Sequence, residues 1–357
     1  MYFDNINLLR AFAALSVVVY HVIELFRWET FPVYGPLVWF RIGWLGVDLF
    51  FVISGFVITL TASLLYEQHG GKFYKTFLRR RLARIVPLYL LTGFLFVLFC
   101  QPTLLEHSKF LLKNIVYHVL FIHNLDPSTH GTIDGPNWSV GVEMQFYLLI
   151  LLTIRFLIRM PPWLILLICI LISWAWRTLS FLLGCCDVFY EFFLSTQLFG
   201  CLDGFGFGIF LCRMILEQRQ RSTSFNIEYN LWLWMAIAVL VSAVTFPIYW
   251  HWAVYWEFWW MAIFWKTLAS LTFFTVLILA IQLGSLIRLN RWIFRPFWYL
   301  GEISYGIYLW HLLVIESLVR VKGLTAPEFL SLALFFTIAL SMFSWHFVEQ
   351  PLIKRFR

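Results

Sequence analysis

The chain has 357 residues, of which 61% are hydrophobic and only 13% charged, and its mean hydropathy is +0.80. An ordinary soluble domain carries about 25% charged residues, so the composition excludes that class and defines a polytopic membrane protein. The net charge of +7 does not signal nucleic-acid binding, because the basic residues cluster at the ends of apolar segments.

Apolar runs of the length a bilayer requires cover 7–26, 40–66, 84–100, 141–159, 163–183, 193–216, 231–248, 258–281, 302–321 and 327–347. They predict an all-α bundle of about ten transmembrane helices forming one membrane domain over 1–357. The first run carries Asp4 in place of a positive n-region and shows no cleavage site, so it is expected to be a retained helix. The second is long enough to tilt or to extend beyond the hydrocarbon. With the N-terminus in the cytoplasm, Lys72, Lys75, Arg79, Arg80, Arg81, Arg84, Arg155, Arg159, Arg288, Lys354, Arg355 and Arg357 share that side. Both termini are therefore expected to be cytoplasmic. The longest outer connection, 101–140, holds an apolar stretch near 110–123 and then a turn rich in Pro, Gly and Asn. It is expected to form an interfacial or re-entrant helix roofing a cavity. The six Cys show no metal spacing, with Cys185 and Cys186 in a short outer loop, and are read as packing residues with no metal site.

Chemistry-bearing residues stand out against this background. Arg10 and His21 lie within the first span, roughly 16 Å apart along a helix axis. Ionisable groups at that depth are costly to desolvate and mark a functional path. Asp48 occupies the second span at nearly the depth of His21, and a contact between them is feasible if the two helices adjoin. Arg81 and Arg84 share a helical face, and with Arg10 they would form a phosphate site through forked, charge-assisted contacts. The fourth span opens at Asn137, Trp138 and Ser139, where Asn137 or Ser139 can cap the helix and Glu143 falls in the first turn. Tyr305, Tyr308 and His311 belong to the ninth span, and Glu349 near the C-terminus can pair with the arginines. Aromatics at the outer side, among them Trp28, Trp39, Trp44, Tyr249, Trp250 and Trp252, suit an interfacial belt or a carbohydrate-facing cavity.

Five segments in order resemble the membrane acyltransferase family 3, whose bacterial members O-acylate surface glycans. They are Arg10 to His21; the run from Gly46 through Asp48 to Ser54, Gly55 and Phe56; Arg81-x-x-Arg84-x-x-Pro87; Trp138, Ser139, Glu143, Phe146 and Tyr147; and Ser304 and Tyr305 through His311 with the Glu349-x-Pro351 ending. The resemblance covers essentially the whole chain. It implies a ten-helix core, an acyl-CoA donor (acetyl-CoA by default) entering from the cytoplasm, and the first-helix histidine as the catalytic group. Some relatives carry an additional extracytoplasmic hydrolase-like domain; none is seen here, so the core is expected to deliver the acyl group directly.

On this reading His21 is the general base, with Asp48 orienting it and Glu143 at the outer mouth of its cavity. Arg10, Arg81 and Arg84 hold the acyl-CoA phosphates, while Trp138, Ser139, Tyr305 and His311 face substrate. The acceptor is a hydroxyl of an extracytoplasmic or lipid-linked glycan, and the protein resides in the bacterial inner membrane. The competing reading is a proton-coupled transporter relaying through His21, Asp48, Glu143, Lys266 and His311, though no internal repeat supports it.

Overall fold

A computed structural model describes residues 4–184, 187–221, 231–251, 255–284 and 291–356. Cys185, Cys186, Trp252, Arg288 and Arg357 lie outside the described residues. Among the described residues there are helices and turns and no strand. The helices are α1 (Asp4–Phe26), α2 (Gly46–His69), α3 (Phe73–Phe99), α4 (Ser108–Val119), α5 (Trp138–Leu157), α6 (Pro162–Gly184) and α7 (Val188–Ser195). There follow α8 (Leu202–Arg221), α9 (Leu231–His251), α10 (Lys266–Gln282), α11 (Arg291–Glu302), α12 (Ser304–Val319), α13 (Ala326–Ser344) and α14 (Gln350–Arg355). Among the described residues, eight helical stretches are long and apolar enough to cross a membrane; one of them, Pro36–Phe99, holds both α2 and α3, and Ser304–Val319 is a shorter apolar helix. Every apolar run read from the sequence falls on one of these helices, which makes the chain an all-α polytopic membrane protein.

The boundaries move where local chemistry overrides hydropathy. The second run is not one long helix: a 3₁₀ segment, Pro36–Leu45, leads into α2, and Ile42 leaves helical geometry at φ −118° and ψ 21°. Asp48 consequently sits in the first turn of α2, where a carboxylate complements the helix dipole, and not some eight residues into a helix. In contrast, α3 starts at Phe73, well before the hydrophobic run, so Arg79 to Arg84 are helical. Nothing between Phe73 and Arg84 breaks a helix, and Arg is a good helix former. Pro87 is absorbed within α3. The apolar part of 101–140 becomes α4, which at 12 residues is too short to span a bilayer.

The chain forms two compact units, each discontinuous in sequence. The first comprises Met1–Ile6, Asp48–Phe73 and Val142–Phe294, and the second Asn7–Val47, Tyr74–Gly141 and Arg295–Arg357. In the first unit, α2 and α8 approach so closely that a Cβ on Gly55 would overlap the Phe205 carbonyl, and one on Gly208 the Val52 carbonyl. Small residues at such a crossing are the usual means of helix association in lipid. Phe205 fills the centre, with ring centroids 4.0 Å from Phe146 and 4.8 Å from Phe51. Beside it a buried ion pair joins α6 to α8. Arg177 Nη2 donates to Asp203 Oδ1 at 2.7 Å, Arg177 Nε donates to the Gly200 carbonyl at 2.8 Å, and Thr267 Oγ1 donates to Asp203 Oδ2 at 2.6 Å.

In the second unit, a Cβ on Gly43 would overlap the Ser16 carbonyl and one on Gly46 the Ala13 carbonyl, so these glycines bring the α2 approach against α1. A core of Val22, Ile315, Phe329 and Ala333 ties α1 to α12 and α13.

Breaking a buried pair leaves one charge uncompensated and costs about 3–5 kcal/mol, whereas replacing both partners by apolar groups is often neutral. Arg177→Leu is therefore expected to lower the unfolding temperature of the detergent-solubilised protein, and Arg177→Leu/Asp203→Leu to restore most of it. A double variant as unstable as the single one would contradict this account of the pair.

Candidate functional site

Two histidines meet inside the second unit. His311 on α12 is fully buried and His21 on α1 half-buried. His311 Nε2 lies 3.2 Å from His21 Nδ1, and the ring centroids are 5.0 Å apart. Each ring has a backbone partner one turn back: Val17 O at 3.0 Å from His21 Nδ1, and Tyr308 O at 2.5 Å from His311 Nδ1. A carbonyl can only accept, so both Nδ1 atoms must carry the hydrogen. In the neutral rings His311 Nε2 is then an acceptor for His21 Nδ1–H, and the free lone pair of the dyad is at His21 Nε2. The arrangement follows from helix periodicity, because a residue on a helix reaches the carbonyls three and four positions earlier.

A basic cluster gathers in the same unit. Arg10 Nε donates to Ser304 Oγ at 3.2 Å, and both Arg84 and Arg10 act electrostatically on the buried Glu349. Arg81 lies over the Phe77 ring at 5.6 Å. Arg10 and Arg84 thus share one electrostatic neighbourhood, which Glu349 partly neutralises. Tyr305 donates to the Ile85 carbonyl at 2.8 Å, tying α12 to α3 one residue from Arg84.

The start of α5 is clasped to α12. Tyr308 Oη donates to the Pro136 carbonyl at 2.8 Å, Ser139 Oγ donates to the same carbonyl at 3.0 Å, and the two hydroxyls are 2.7 Å apart. Ser139 is therefore engaged with protein, and Trp138 stacks on His130 at 6.3 Å. The expected cap is absent: both side-chain amide atoms of Asn137 are buried without a partner among the described residues. Glu143 is the sixth residue of α5, in its second turn.

Behind the clasp the connection is packed with imidazoles. His118 and His123 stack at 4.1 Å, His123 Nε2 lies 3.1 Å from Asn137 O, and Tyr89 Oη lies 3.4 Å from His123 Nδ1. Burial pushes His118 down to about 4 and His130 down to about 4. Burial, helped by the neighbouring His118, takes His123 to about 3. Burial, with the Glu316 charge adding to it, holds the Asp134 carboxyl well above its ordinary range.

Asp48 and Glu143 belong to the first unit. Asp48 Oδ1 lies 3.5 Å from Lys266 Nζ, and both side chains are buried. Glu143 Oε1 accepts from Ser54 Oγ at 3.1 Å and from Tyr147 Oη at 2.8 Å. Reading the sequence overlooked Arg177 within 163–183, although a charge inside an apolar run is the signal that selected Arg10. The His118–His123 stack gave no such signal, because it assembles from a helix and a turn with no fixed spacing.

Together these features define a multi-helix membrane protein with a histidine pair inside it and arginines in the same unit. Residues 3–346 match the family described as an acyltransferase domain. The chain belongs to that family. It is 26% identical to the peptidoglycan O-acetyltransferase OatA of Listeria monocytogenes, across 99% of this chain and 56% of that protein. It is 27% identical to the O-acetyltransferase OatA of Staphylococcus aureus, across 99% of this chain and 58% of that protein. The chain thus spans little more than half the length of these relatives. No solved structure matches it.

The three depressed histidines make the 101–140 connection less stable as pH falls, and they outnumber the one raised carboxyl, Asp134, which acts in the opposite sense. Above about pH 6.5 both folded and unfolded forms are neutral at these sites. As pH falls below that value the unfolded form binds protons first, and stability is lost progressively toward the folded-state values near 4 and 3. Amide hydrogen exchange over 108–137, corrected for intrinsic rates, is expected to be faster at pH 5 than at pH 7.5. Unchanged corrected rates would contradict burial of the neutral rings.

Proposed function

We propose that the chain is an O-acyltransferase of the bacterial inner membrane. It would move an acyl group, acetyl in the simplest case, from cytoplasmic acyl-CoA to a hydroxyl of an extracytoplasmic or lipid-linked glycan. The observation that carries this reading is the His21–His311 contact at 3.2 Å, in a chain of the acyltransferase family. The name of the Listeria monocytogenes relative points to peptidoglycan as the acceptor.

His21 Nε2 takes the proton of the acceptor hydroxyl as its oxygen attacks the thioester carbonyl. A C–O bond forms, the C–S bond breaks, and the proton passes through His21 to the leaving thiolate. While His21 is protonated, its Nδ1–H remains held by Val17 O and His311 Nε2, both acceptors, and these spread the positive charge. His311 therefore takes the orienting role first given to Asp48, whose carboxylate is engaged by Lys266. His311 is a positioning residue on this account.

Arg10 on α1 and Arg84 on α3 are assigned to the donor phosphates, with Arg81 one turn before Arg84 on α3. Guanidiniums suit phosphate, and Glu349 nearby offsets only part of their charge, which leaves the cluster positive. Roughly 16 Å of α1 separates Arg10 from His21, a span suited to an extended pantetheine arm. Trp138 and Ser139 remain the candidate oxyanion donors at the start of α5, and Ser139 reaches an oxyanion only by leaving Pro136. The transporter reading has less support, since Asp48 is paired with Lys266 and Arg177 with Asp203.

In proteoliposomes supplied with acetyl-CoA and a glycan acceptor, His21→Ala is expected to lower transfer by about 10²–10⁴-fold while leaving acetyl-CoA binding intact. His311→Gln is expected to retain part of the rate and to displace the pH–rate profile, which a purely structural role would not do. Full transfer by the His21→Ala protein would overturn the assignment. Arg84→Ala is expected to weaken calorimetric binding of acetyl-CoA about tenfold or more, and unchanged binding would reject the donor site.

A further inference from the structure

The last buried position beyond α13 is set by a departure from α-helical geometry. Thr337, Ser341 and Ser344 form a buried polar stripe along α13, at spacings of four and three residues. A regular helix would continue that stripe at Phe347 or Val348. Instead Trp345–Glu349 is a single π-helical turn, closed by the Gln350 N–H donating to the Trp345 carbonyl. The lengthened step carries Glu349, 1% exposed, into the interior and leaves Phe347 outside, 69% exposed. Turns of this kind inside α-helices are rare and recur at functional sites.

Local hydrogen bonding does not explain why a carboxylate is brought there. Ser344 Oγ donates to Glu349 Oε1 across 3.5 Å, and the same hydroxyl also reaches the Ser341 carbonyl at 3.2 Å. Glu349 Oε2 has no hydrogen-bond partner among the described residues. The charged groups that act on Glu349 are the guanidiniums of Arg84 and Arg10, which share its unit. A buried carboxylate that organises so few hydrogen bonds acts chiefly through its charge, and charge carries further in a desolvated site than in water. Here it bears on the two arginines assigned to the donor phosphates, and it opposes any phosphate they hold.

Donor and product make such opposition useful. Acetyl-CoA and free CoA carry the same phosphates, so whatever holds the donor also holds the product after transfer. Binding both equally tightly does nothing for the chemical step and delays release. We infer that Glu349 sets the affinity of the donor site: its buried charge weakens the grip of Arg10 and Arg84 on phosphate, so that CoA departs once the acyl group has moved. The inference rests on the assignment of those arginines to the acyl-CoA phosphates. Glu349 touches no reacting atom on this account.

The test compares calorimetric binding of acetyl-CoA and of CoA to the full-length detergent-solubilised protein, beside turnover in proteoliposomes. Glu349→Gln keeps the shape of the side chain and removes its charge. It is expected to tighten both ligands by a similar factor, about tenfold for one charge in a partly desolvated site. Its kcat is expected to fall, with CoA becoming the stronger product inhibitor. The gain in affinity is expected to vanish with S-acetylpantetheine, which has the thioester arm but no phosphate. Glu349→Asp retains the charge and is expected to bind acetyl-CoA within about threefold of the wild type. If the Gln variant unfolds without ligand, purification in CoA followed by competition with radiolabelled acetyl-CoA gives the same comparison. A purely structural Glu349 predicts weaker binding in Glu349→Gln and no tightening. Unchanged or weaker binding of both ligands by Glu349→Gln, where the wild type binds them, would overturn this inference and leave the donor site standing. Failure of the folded wild type to bind acetyl-CoA would overturn the donor site and this inference with it.

Discussion

Holding ionisable groups away from water sets the terms for this molecule. Desolvating a charge inside an apolar bundle costs several kcal/mol, which only neutralisation, pairing or dense hydrogen bonding offsets. Each buried group meets the demand in its own way. Arg177 and Asp203 pair and recruit Gly200 and Thr267, while Asp48 pairs with Lys266. Glu143 accepts from two hydroxyls. His21 and His311 need no counter-ion, because an imidazole can remain neutral and still be both donor and acceptor. Such a neutral pair can take up a proton without breaking an ion pair.

This constraint also explains what the sequence could reveal. The helical spans were legible because lipid imposes a length and a composition. Arg10, His21, Asp48 and His311 were legible as misfits within those spans. Partners were not: nothing in the order of residues says that His311 meets His21, or that Asp48 meets Lys266, since each contact joins helices far apart in the chain. Helix starts were obscured wherever polar residues continued a helix or glycines interrupted one. The apolar run begins only at Arg84, yet α3 begins at Phe73 and already holds Arg79 to Arg84 in helical turns. The break before Gly46 reads as continuous apolar helix, although close packing against Ala13 and Ser16 is what its glycines serve. Asn137 looked like a cap by position, and only the three-dimensional structure exposes its unused amide.

The 101–140 connection proves as organised as the helices it joins. Its histidines stack, Thr129 Oγ1 donates to the His123 carbonyl at 2.8 Å, and Tyr308 fastens Pro136 to α12. Hydrogen bonding therefore runs from this connection through Tyr308 to His311 and on to His21. Through that chain of contacts, the position of the 101–140 connection and the tautomer of His21 become one problem. Family membership supplies the class of chemistry, and the second unit supplies groups suited to it.

The central claim is that His21 presents an unprotonated Nε2 because His311 and Val17 hold its Nδ1–H. Nitrogen-15 solid-state NMR of the ring-labelled protein in lipid bilayers at neutral pH reads this directly, with His21→Gln and His311→Gln samples used to assign the signals. The account predicts that both residues are neutral and protonated at Nδ1, with His21 Nε2 bare. A His21 ring carrying its hydrogen on Nε2, or charged at neutral pH, would contradict it.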